Sequence, residues 1–497
     1  MLGHAVEDSP DERRKRLVAH HPQPAEQARA EALDLAIHGL ERTRPEMSAR
    51  RTLVGWQRSA MAVTCAVLAL GFAMQPVLTG SILISLLVAL YVAAMVERSV
   101  VFARGLRAVE FLIRRPLPPM SDEELPRYTI LVPAYREAEV VGHLVESLGA
   151  LDYPPDKLEV LLLVEEDDDL TISALLPLDL PSFARVLLVP ASEPRTKPKA
   201  CNYGLHFATG ELVTIYDAED RPEPLQLRRA VDAFRRAGPR TVCLQARLQY
   251  YNARQNMLTR WFTVDYTTWF AIFLPGLASF GLPVPLGGTS NHIRAESLVA
   301  VGGWDPYNVT EDADLGIRLV RSGLRTGIID SVTYEEANSD GLNWVRQRSR
   351  WYKGYMQTWL VHARQPVRML RELGPHGFVS VTLLTGATPL LSGVNLLSWT
   401  CTIIFIIGTP SSLAQVFPAP VVYFGTAAAF FGNATVVYVS LIACRQTHQG
   451  HLAWAALTYP LYWVLMAVAA VKSLWQLVAR PSYWEKTVHG LARAGPG

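Results

Sequence analysis

The sequence predicts an α/β domain with a mainly parallel sheet and helices on both faces, set between two groups of membrane-spanning helices. Three observations carry this. Long charge-free runs lie on either side of a middle region, roughly 105–340. That middle region has ordinary mixed charge. Within it, short β-rich runs alternate with helix patterns. Charged residues are only 19% and hydrophobic residues 50% of 497, too apolar for an ordinary water-soluble chain of this length. A disordered chain and a collagen-like or coiled-coil rod are excluded. A net charge of +2 supplies no field for general nucleic-acid binding. Cys65, Cys201, Cys243, Cys401 and Cys444 are odd in number and lack C-x-x-C spacing, which argues against a disulfide framework or zinc site and suits a reducing, cytosolic setting. Cys201 and Cys243 read as core residues.

Taken in order, residues 1–57 are polar, carry both charge signs and contain no apolar stretch of signal-peptide length. They read as a flexible cytosolic arm with one short helix near 26–40. Residues 58–103 read as a transmembrane hairpin. Ser59–Val96 is 38 residues without a charge, which fits two helices of about 17 residues each, with Gln75, Pro76 and Gly80 at the turn. Arg50, Arg51 and Arg58 precede the hairpin, and Arg98, Arg104, Arg107, Arg114 and Arg115 follow it, so both flanks stay inside. Residues 104–341 are then a cytosolic domain and 342–372 an amphipathic interface segment. The charge-free runs Leu373–Cys444 (72 residues) and Gln446–Val471 (26 residues) make 373–472 a second membrane region. Lys472, Arg480, Lys486 and Arg493 mark 473–497 as a cytosolic tail, and both ends inside requires about four crossings after the domain. The uncharged loop near Gly408–Pro420 suits the outer face. Two crossings, with a re-entrant stretch around Pro460, is the alternative.

In the middle region, strands are expected at Tyr128–Ala134, Leu158–Val164, Ala184–Val189 and Leu212–Tyr216, with a helix near Glu139–Ala150. Ligands of such sheets bind beyond the carboxyl ends of the strands. There the chain carries Glu165, Glu166, Asp167, Asp168 and Asp169, and again Asp217, Glu219 and Asp220. Such clusters repel themselves unless a cation or hydrogen-bond donors sit among them. Asp217 and Glu219 have the spacing to hold Mg²⁺ or Mn²⁺ by hard oxygens while a diphosphate completes the shell, and adjacent Asp220 is an alternative second ligand. The basic segment just upstream, Lys197 to Asn202, can orient a phosphate, with Lys199 assigned to that task.

Two further clusters follow. Thr310, Glu311 and Asp312 open a helix running to Val320, and Gln347, Arg350 and Trp351 form Q-x-x-R-W. With these four motifs in order over roughly Pro126–Thr358, the sequence resembles the membrane-integrated family-two glycosyltransferases, the group containing cellulose, chitin and hyaluronan synthases. The resemblance implies a GT-A type nucleotide-sugar-binding domain. It implies that Glu166 and Asp168 contact the nucleotide and that Asp217 with Glu219 or Asp220 holds the metal. Asp312 would be the general base, Arg350 with Gln347 would lie near the diphosphate, and Trp351 near the acceptor sugar.

The residue chemistry agrees with these roles. Metal, Arg350 and Lys199 can stabilise a diphosphate leaving group, and Asp312 can take the acceptor hydroxyl proton. One base and direct displacement give inversion. The reading is therefore an inverting glycosyltransferase of the inner membrane that uses a nucleotide sugar, a UDP-sugar first. It extends a β-linked polysaccharide coupled to secretion, because Q-x-x-R-W runs into an amphipathic segment and then the spans. A glycolipid synthase with a lipid acceptor is the alternative. A degenerate transferase is a third reading, resting on Glu in place of Asp in these motifs. A non-enzymatic membrane protein is a fourth, weakened by spans almost without ionisable groups. Only about 25 residues follow the last expected span, so cyclic-dinucleotide regulation or export would need a separate partner. Plainer readings stand beside these. Asp312 caps a helix, Trp351 is an interface aromatic, and Arg348 and Arg350 bind lipid headgroups. The Asn308-Val309-Thr310 sequon overlaps T-E-D on the cytosolic side and is set aside.

Overall fold

The computed structural model describes residues 9–112, 120–139, 141–408 and 417–480. Two polar helices, α1 (Pro10–His20) and α2 (Glu26–Thr43), lead into two long apolar ones, α3 (Gly55–Met74) and α4 (Pro76–Leu112). The domain then runs β1 (Tyr128–Ala134), α5 (Val141–Gly149), β2 (Leu158–Glu165), α6 (Asp169–Leu175), β3 (Ala184–Val189), α7 (Lys197–His206), β4 (Leu212–Ile215) and β5 (Arg221–Pro222). It continues through α8 (Gln226–Arg236), β6 (Thr241–Tyr250), α9 (Met257–Thr268), α10 (Leu274–Phe280), β7 (Asn291–Arg294), α11 (Ala295–Ala300), α12 (Glu311–Arg321) and β8 (Arg325–Glu335). After it come α13 (Gly341–His362), α14 (Pro366–Val381), α15 (Thr388–Ile407), α16 (Ala419–Gln446), the short α17 (Ala453–Leu457) and α18 (Tyr459–Ala479).

The sheet has eight strands in the order β3-β2-β1-β4-β7-β6-β8-β5. Its first half, β3-β2-β1-β4, is parallel, as the alternation of strands and helices predicts. The second half is mixed. β7 runs antiparallel to both neighbours, β6 and β8 pair in parallel, and β5 returns antiparallel on β8. The expectation of a mainly parallel sheet thus holds for one half only, because β7 enters from a loop after α10 and not from a right-handed crossover. Alternate residues serve two cores. Leu131, Leu161, Leu163, Leu187 and Val189 face one side, and Ile130, Val132, Val160, Leu162 and Leu188 face the other.

The N-terminal arm is not a solvated tail. Over its described residues it lies against the domain, with Leu17, Ala32, Ala36, Ile37, Leu40 and Met47 buried. Gln23 serves the edge strand β3 as a neighbouring strand would: its side chain accepts from Leu188 N (2.8 Å) and donates to Val186 O (2.9 Å). The apolar spacing of α2 supports a packed helix, but the charge of its surroundings hides it.

Five helices among the described residues are long and apolar enough to cross a membrane: α3, α4, the stretch Pro366–Ile404, α16 and α18. Three of these follow the domain, where charge counting expected four or two. α14 is kinked at Gly374, and the part beyond the kink runs on through a π-helical stretch, Thr382–Ala387, into α15. The ends nearest the domain are identifiable by contact. Gln57 at the start of α3 donates to Leu360 O (2.8 Å), and Tyr459 at the start of α18 donates to Asp265 (2.6 Å). α3 and α18 thus both begin at the domain. The tail beyond residue 480, part of the 408–420 loop and Arg114 and Arg115 lie outside the described residues. Within the segment 342–372, Trp344, Tyr352 and Lys353 of α13 are buried, while Leu342 and Val367 are exposed.

α4 is locked to the domain by two close approaches. A Cβ added to Gly105 would lie 2.0 Å from Ile272 O, and one added to Gly276 would lie 2.3 Å from Val101 O. Only a residue without a side chain permits that backbone contact.

Candidate active site

A cavity of about 380 Å³ opens beyond the carboxyl ends of the strands and reaches between the apolar helices. At the domain end it is lined by Lys197, Asp217, Glu219, Glu311, Asp312 and Glu335. Gln347, Arg350 and Trp351 of α13 form another wall. Six residues that the sequence assigns separately, Asp217, Glu219, Asp312, Gln347, Arg350 and Trp351, thus meet on one surface.

Asp312 lies in the first turn of α12, behind the N-cap residue Thr310. Its Oδ1 accepts from Ala313 N (2.7 Å), and a Cβ added to Gly288 would sit 3.6 Å from Oδ2 and 3.7 Å from Lys197 Nζ. Burial raises its pKa to about 6, held there by the Ala313 N–H, Lys197 and Arg350. Burial and the Asp312 charge raise Glu311 to about 8. Burial thus pushes both carboxyl groups up, and the charge of each disfavours ionisation of the other.

α13 is pinned to this loop. A Cβ on Gly354 would fall 2.4 Å from Thr310 Cγ2, so glycine is needed for the approach. Gln357 accepts from Val309 N (3.2 Å), and Thr358 donates to Asn308 (3.1 Å). Trp351 stacks with Tyr266, with centroids 6.0 Å apart and planes at 28°, and packs on Phe262. Arg348, which the plainer reading sends to lipid headgroups, is turned inward. It bonds to Asp265 and lies over the rings of Phe262, Trp344 and Trp351.

Four assignments change. Lys199 is fully buried and pairs with Glu165 (2.8 Å) and Ser192 O (3.2 Å), away from the cavity. Lys197 is the residue that reaches it, bonding to Asp217 and to Gly288 O (2.8 Å). Two residues apart on a helix means opposite faces, so only one of the two lysines can point at the site. Burial lowers the Lys197 pKa, but the neighbouring Asp217 carboxylate outweighs this and raises it, so it stays protonated.

Asp220 is buried below the cavity and does not line it. One oxygen accepts from Asp217 N (2.8 Å) and from the Thr289 hydroxyl, and the other has no partner. Burial and the neighbouring Asp217 hold its pKa well above the usual carboxylate range. It braces the turn that presents Asp217.

Glu166 is held by Arg29 (2.8 Å), and its backbone oxygen takes a bond from Arg14 (2.6 Å). Asp168 caps α6 by accepting from Thr171 N (3.3 Å) and Oγ1 (2.6 Å) and also accepts from Arg136 N. Neither lines the cavity.

Glu335, the last residue of β8, and Glu336 just after it line the cavity and were missed. The rule that pointed to the acidic ends of β2 and β4 applies equally to the Tyr-Glu-Glu ending of β8. Burial, then Asp220, Asp217 and Glu219, push the Glu335 pKa well up.

Among the described residues no three His, Cys, Asp or Glu side chains cluster closely enough to enclose an ion. Asp217 and Glu219 nonetheless present two hard-oxygen groups to the same cavity, and the Asp217 side chain is 41% exposed. The pair fits a divalent ion that takes its remaining ligands from a bound phosphate.

Residues 126–354 match a family described as "Glycosyltransferase like family 2". This stretch resembles a family-2 glycosyltransferase domain. Its fold is GT-A-like α/β with a mixed sheet, flanked by apolar helices. The chain is 25% identical over 256 residues to a probable glycosyltransferase, YdaM, of Bacillus subtilis, covering 50% of this chain and 60% of that protein. It is 29% identical over 303 residues to the beta-monoglucosyldiacylglycerol synthase of Synechocystis, covering 58% and 62%. The match thus spans about three-fifths of the length of these curated relatives. A solved mannosyltransferase from Pyrobaculum calidifontis, in complex with GDP-Man and Mn²⁺, is similar at 21% identity and a TM-score of 0.47, covering 78% of this chain and 99% of that one.

Proposed function

We propose that the protein is a membrane-embedded inverting glycosyltransferase that moves a sugar from a nucleoside-diphosphate donor to a hydroxyl of a lipid-borne acceptor. The observation that carries this is the cavity itself. One end holds Lys197, Asp217, Glu219 and Asp312, and the other is walled by Tyr91 of α4, Leu391 and Asn395 of α15 and Asn433 of α16. A donor can enter from water and an acceptor from between the helices.

Asp312, which lines the cavity, takes the acceptor proton as the acceptor oxygen attacks. Lys197 and Arg350 counter the charge that builds on the departing diphosphate. Asp217 and Glu219 would hold Mg²⁺ or Mn²⁺, which supplies Lewis-acid stabilisation of that leaving group when bound. One base on one face gives inversion. Glu166 and Asp168 would act on the nucleotide only through the shape of the loop between β2 and α6.

The far end of the cavity favours a lipid acceptor over the polysaccharide that the sequence put first. Tyr91 donates to Asn395 (2.8 Å) and Asn433 donates to the same oxygen (3.0 Å), tying α4, α15 and α16 together where a growing polymer would have to pass. The synthase relative that acts on a diacylglycerol-based lipid supports the same reading. The polymer reading keeps one observation, the Trp351–Tyr266 stack, an aromatic surface of the kind that sugar rings cover. The test is to supply membranes containing the protein with a panel of labelled nucleotide sugars. Label in the organic extract on one or two sugars supports the lipid reading. Insoluble label removed by a β-glycanase supports the polymer. No transfer from any donor would sink the proposal.

A further inference from the structure

The connection between α16 and α18 forms a corner with the start of α9. Trp261 Nε1 donates to Thr458 (3.0 Å), and Thr267 donates to Gln449 (3.0 Å). Arg254, Arg260, Arg445, His448 and His451 are exposed around this corner. None of the five has an ion-pair partner among the described residues. The stretches 251–264 and 445–461 contain no Asp or Glu. Elsewhere on the surface the arginines behave differently: Arg228, Arg229, Arg247 and Arg368 are each held by a carboxylate. The charges of Arg254 and Arg260 both reach His451 and add to burial in lowering its pKa, so it stays a neutral hydrogen-bonding group beside the arginines.

Apolar surface begins directly beside these cations. Trp454 is 77% exposed, Leu457 51% and Leu461 62%. The exposed face continues along α18 through Val464, Val468 and Val471. An indole at the boundary between a cationic rim and an apolar helix face is the arrangement found where bilayer meets water.

We propose that this corner binds the anionic headgroup of a membrane phospholipid, with guanidinium groups on the phosphate and Trp454 against the upper acyl chain. Guanidinium forks match phosphate oxygens in pairs, and an unpaired group has no carboxylate to give up first. Each basic residue near a membrane enriches anionic lipid about fivefold. The proposal rests on the reading of α18 as a membrane span but needs no transferase activity.

The full chain is reconstituted in phosphatidylcholine vesicles doped with phosphatidylglycerol or phosphatidylcholine brominated near the headgroup. The Trp454 signal is taken as the difference from Trp454→Phe. Quenching by the brominated phosphatidylglycerol should exceed that by brominated phosphatidylcholine about twofold or more. The triple variant Arg254→Gln, Arg260→Gln, Arg445→Gln should bring the ratio to one, and the corresponding Arg→Lys triple should keep most of the preference. Because the three side chains are exposed, circular dichroism should be unchanged in both. Equal quenching by the two lipids in the unaltered protein, or an undiminished ratio in the glutamine triple, overturns the site while leaving the span intact. Absence of quenching by either lipid would show instead that α18 does not meet the bilayer. Loss of the preference on adding inorganic phosphate would mark a site for free phosphate and also overturn the lipid assignment.

Discussion

Arg348 and Asp265 form a 2.5 Å ion pair that joins α13 to α9, and Tyr459 of α18 donates to the other oxygen of the same carboxylate at 2.6 Å. One carboxylate thus ties the Q-x-x-R-W helix, the domain and a membrane helix together. The guanidinium that it holds is the platform for Trp351, 4.9 Å from the ring centroid. Asp265→Asn leaves that largely buried guanidinium without its counter-charge. Breaking such a pair costs about 3 kcal/mol. The variant should melt at a lower temperature and lose transfer, while titration calorimetry with nucleoside diphosphate should give the affinity of the unaltered protein, since Lys197 and Asp217 are left in place.

Asp312→Asn removes the base but keeps its size and the bond from Ala313. Turnover should fall by roughly 10²–10⁴-fold while donor affinity stays the same. If affinity and turnover fell together, Asp312 would serve to hold α12 in place.

The same residue sets a pH dependence. The base must be ionised, and burial raises its pKa to about 6. The rate should therefore be level above that value and fall about tenfold per pH unit below it. A rate that stays flat down to pH 4 would exclude Asp312 as the proton acceptor.

The two lysines of α7 should part company. Lys197→Met removes a cation from the cavity and should weaken nucleoside-diphosphate binding with little change in melting temperature. Lys199→Met strands Glu165 in the core, at a cost of about 3–5 kcal/mol. It should show first as instability in a thermal melt. The opposite pattern would restore Lys199 to the site.

Asp217→Asn, or an excess of chelator, should lower transfer sharply, and Mn²⁺ or Mg²⁺ should restore the chelated protein. Full activity in chelator would remove the metal from the mechanism. Asp220→Asn should act differently, through a displaced Thr289 and Asp217 turn. It should reduce stability more than metal affinity.

What could be read from the sequence follows from how local each signal is. β1 and β3 have the bounds that their apolar runs predict, since a buried parallel strand is a continuous string of such residues. The acidic ends of β2 and β4 pointed to the right edge of the sheet. Orientation within that edge was not legible. Lys197 and Lys199 look alike in a sequence and differ only in which face of α7 they occupy. Asp217 and Asp220 differ only in the direction of one turn. The bonds that hold Glu166 and Asp168 were not legible because their partners, Arg29 and the Arg136 backbone, are distant in sequence. The inward turn of Arg348, beside which a lipid contact stood as the plainer reading, was hidden because its counter-ion, Asp265, is 83 residues away.

The contacts at Gly105 and Gly276 carry a mechanical consequence. α4 is at once an anchor in the apolar layer and a wall of the reaction cavity, through Tyr91, Ala94, Glu97 and Arg98. Backbone against backbone, with no side chain between, leaves no compliant layer to absorb a change of angle. A bilayer whose thickness forces α4 to tilt therefore turns the domain with it, and the cavity keeps its shape while its angle to the membrane changes.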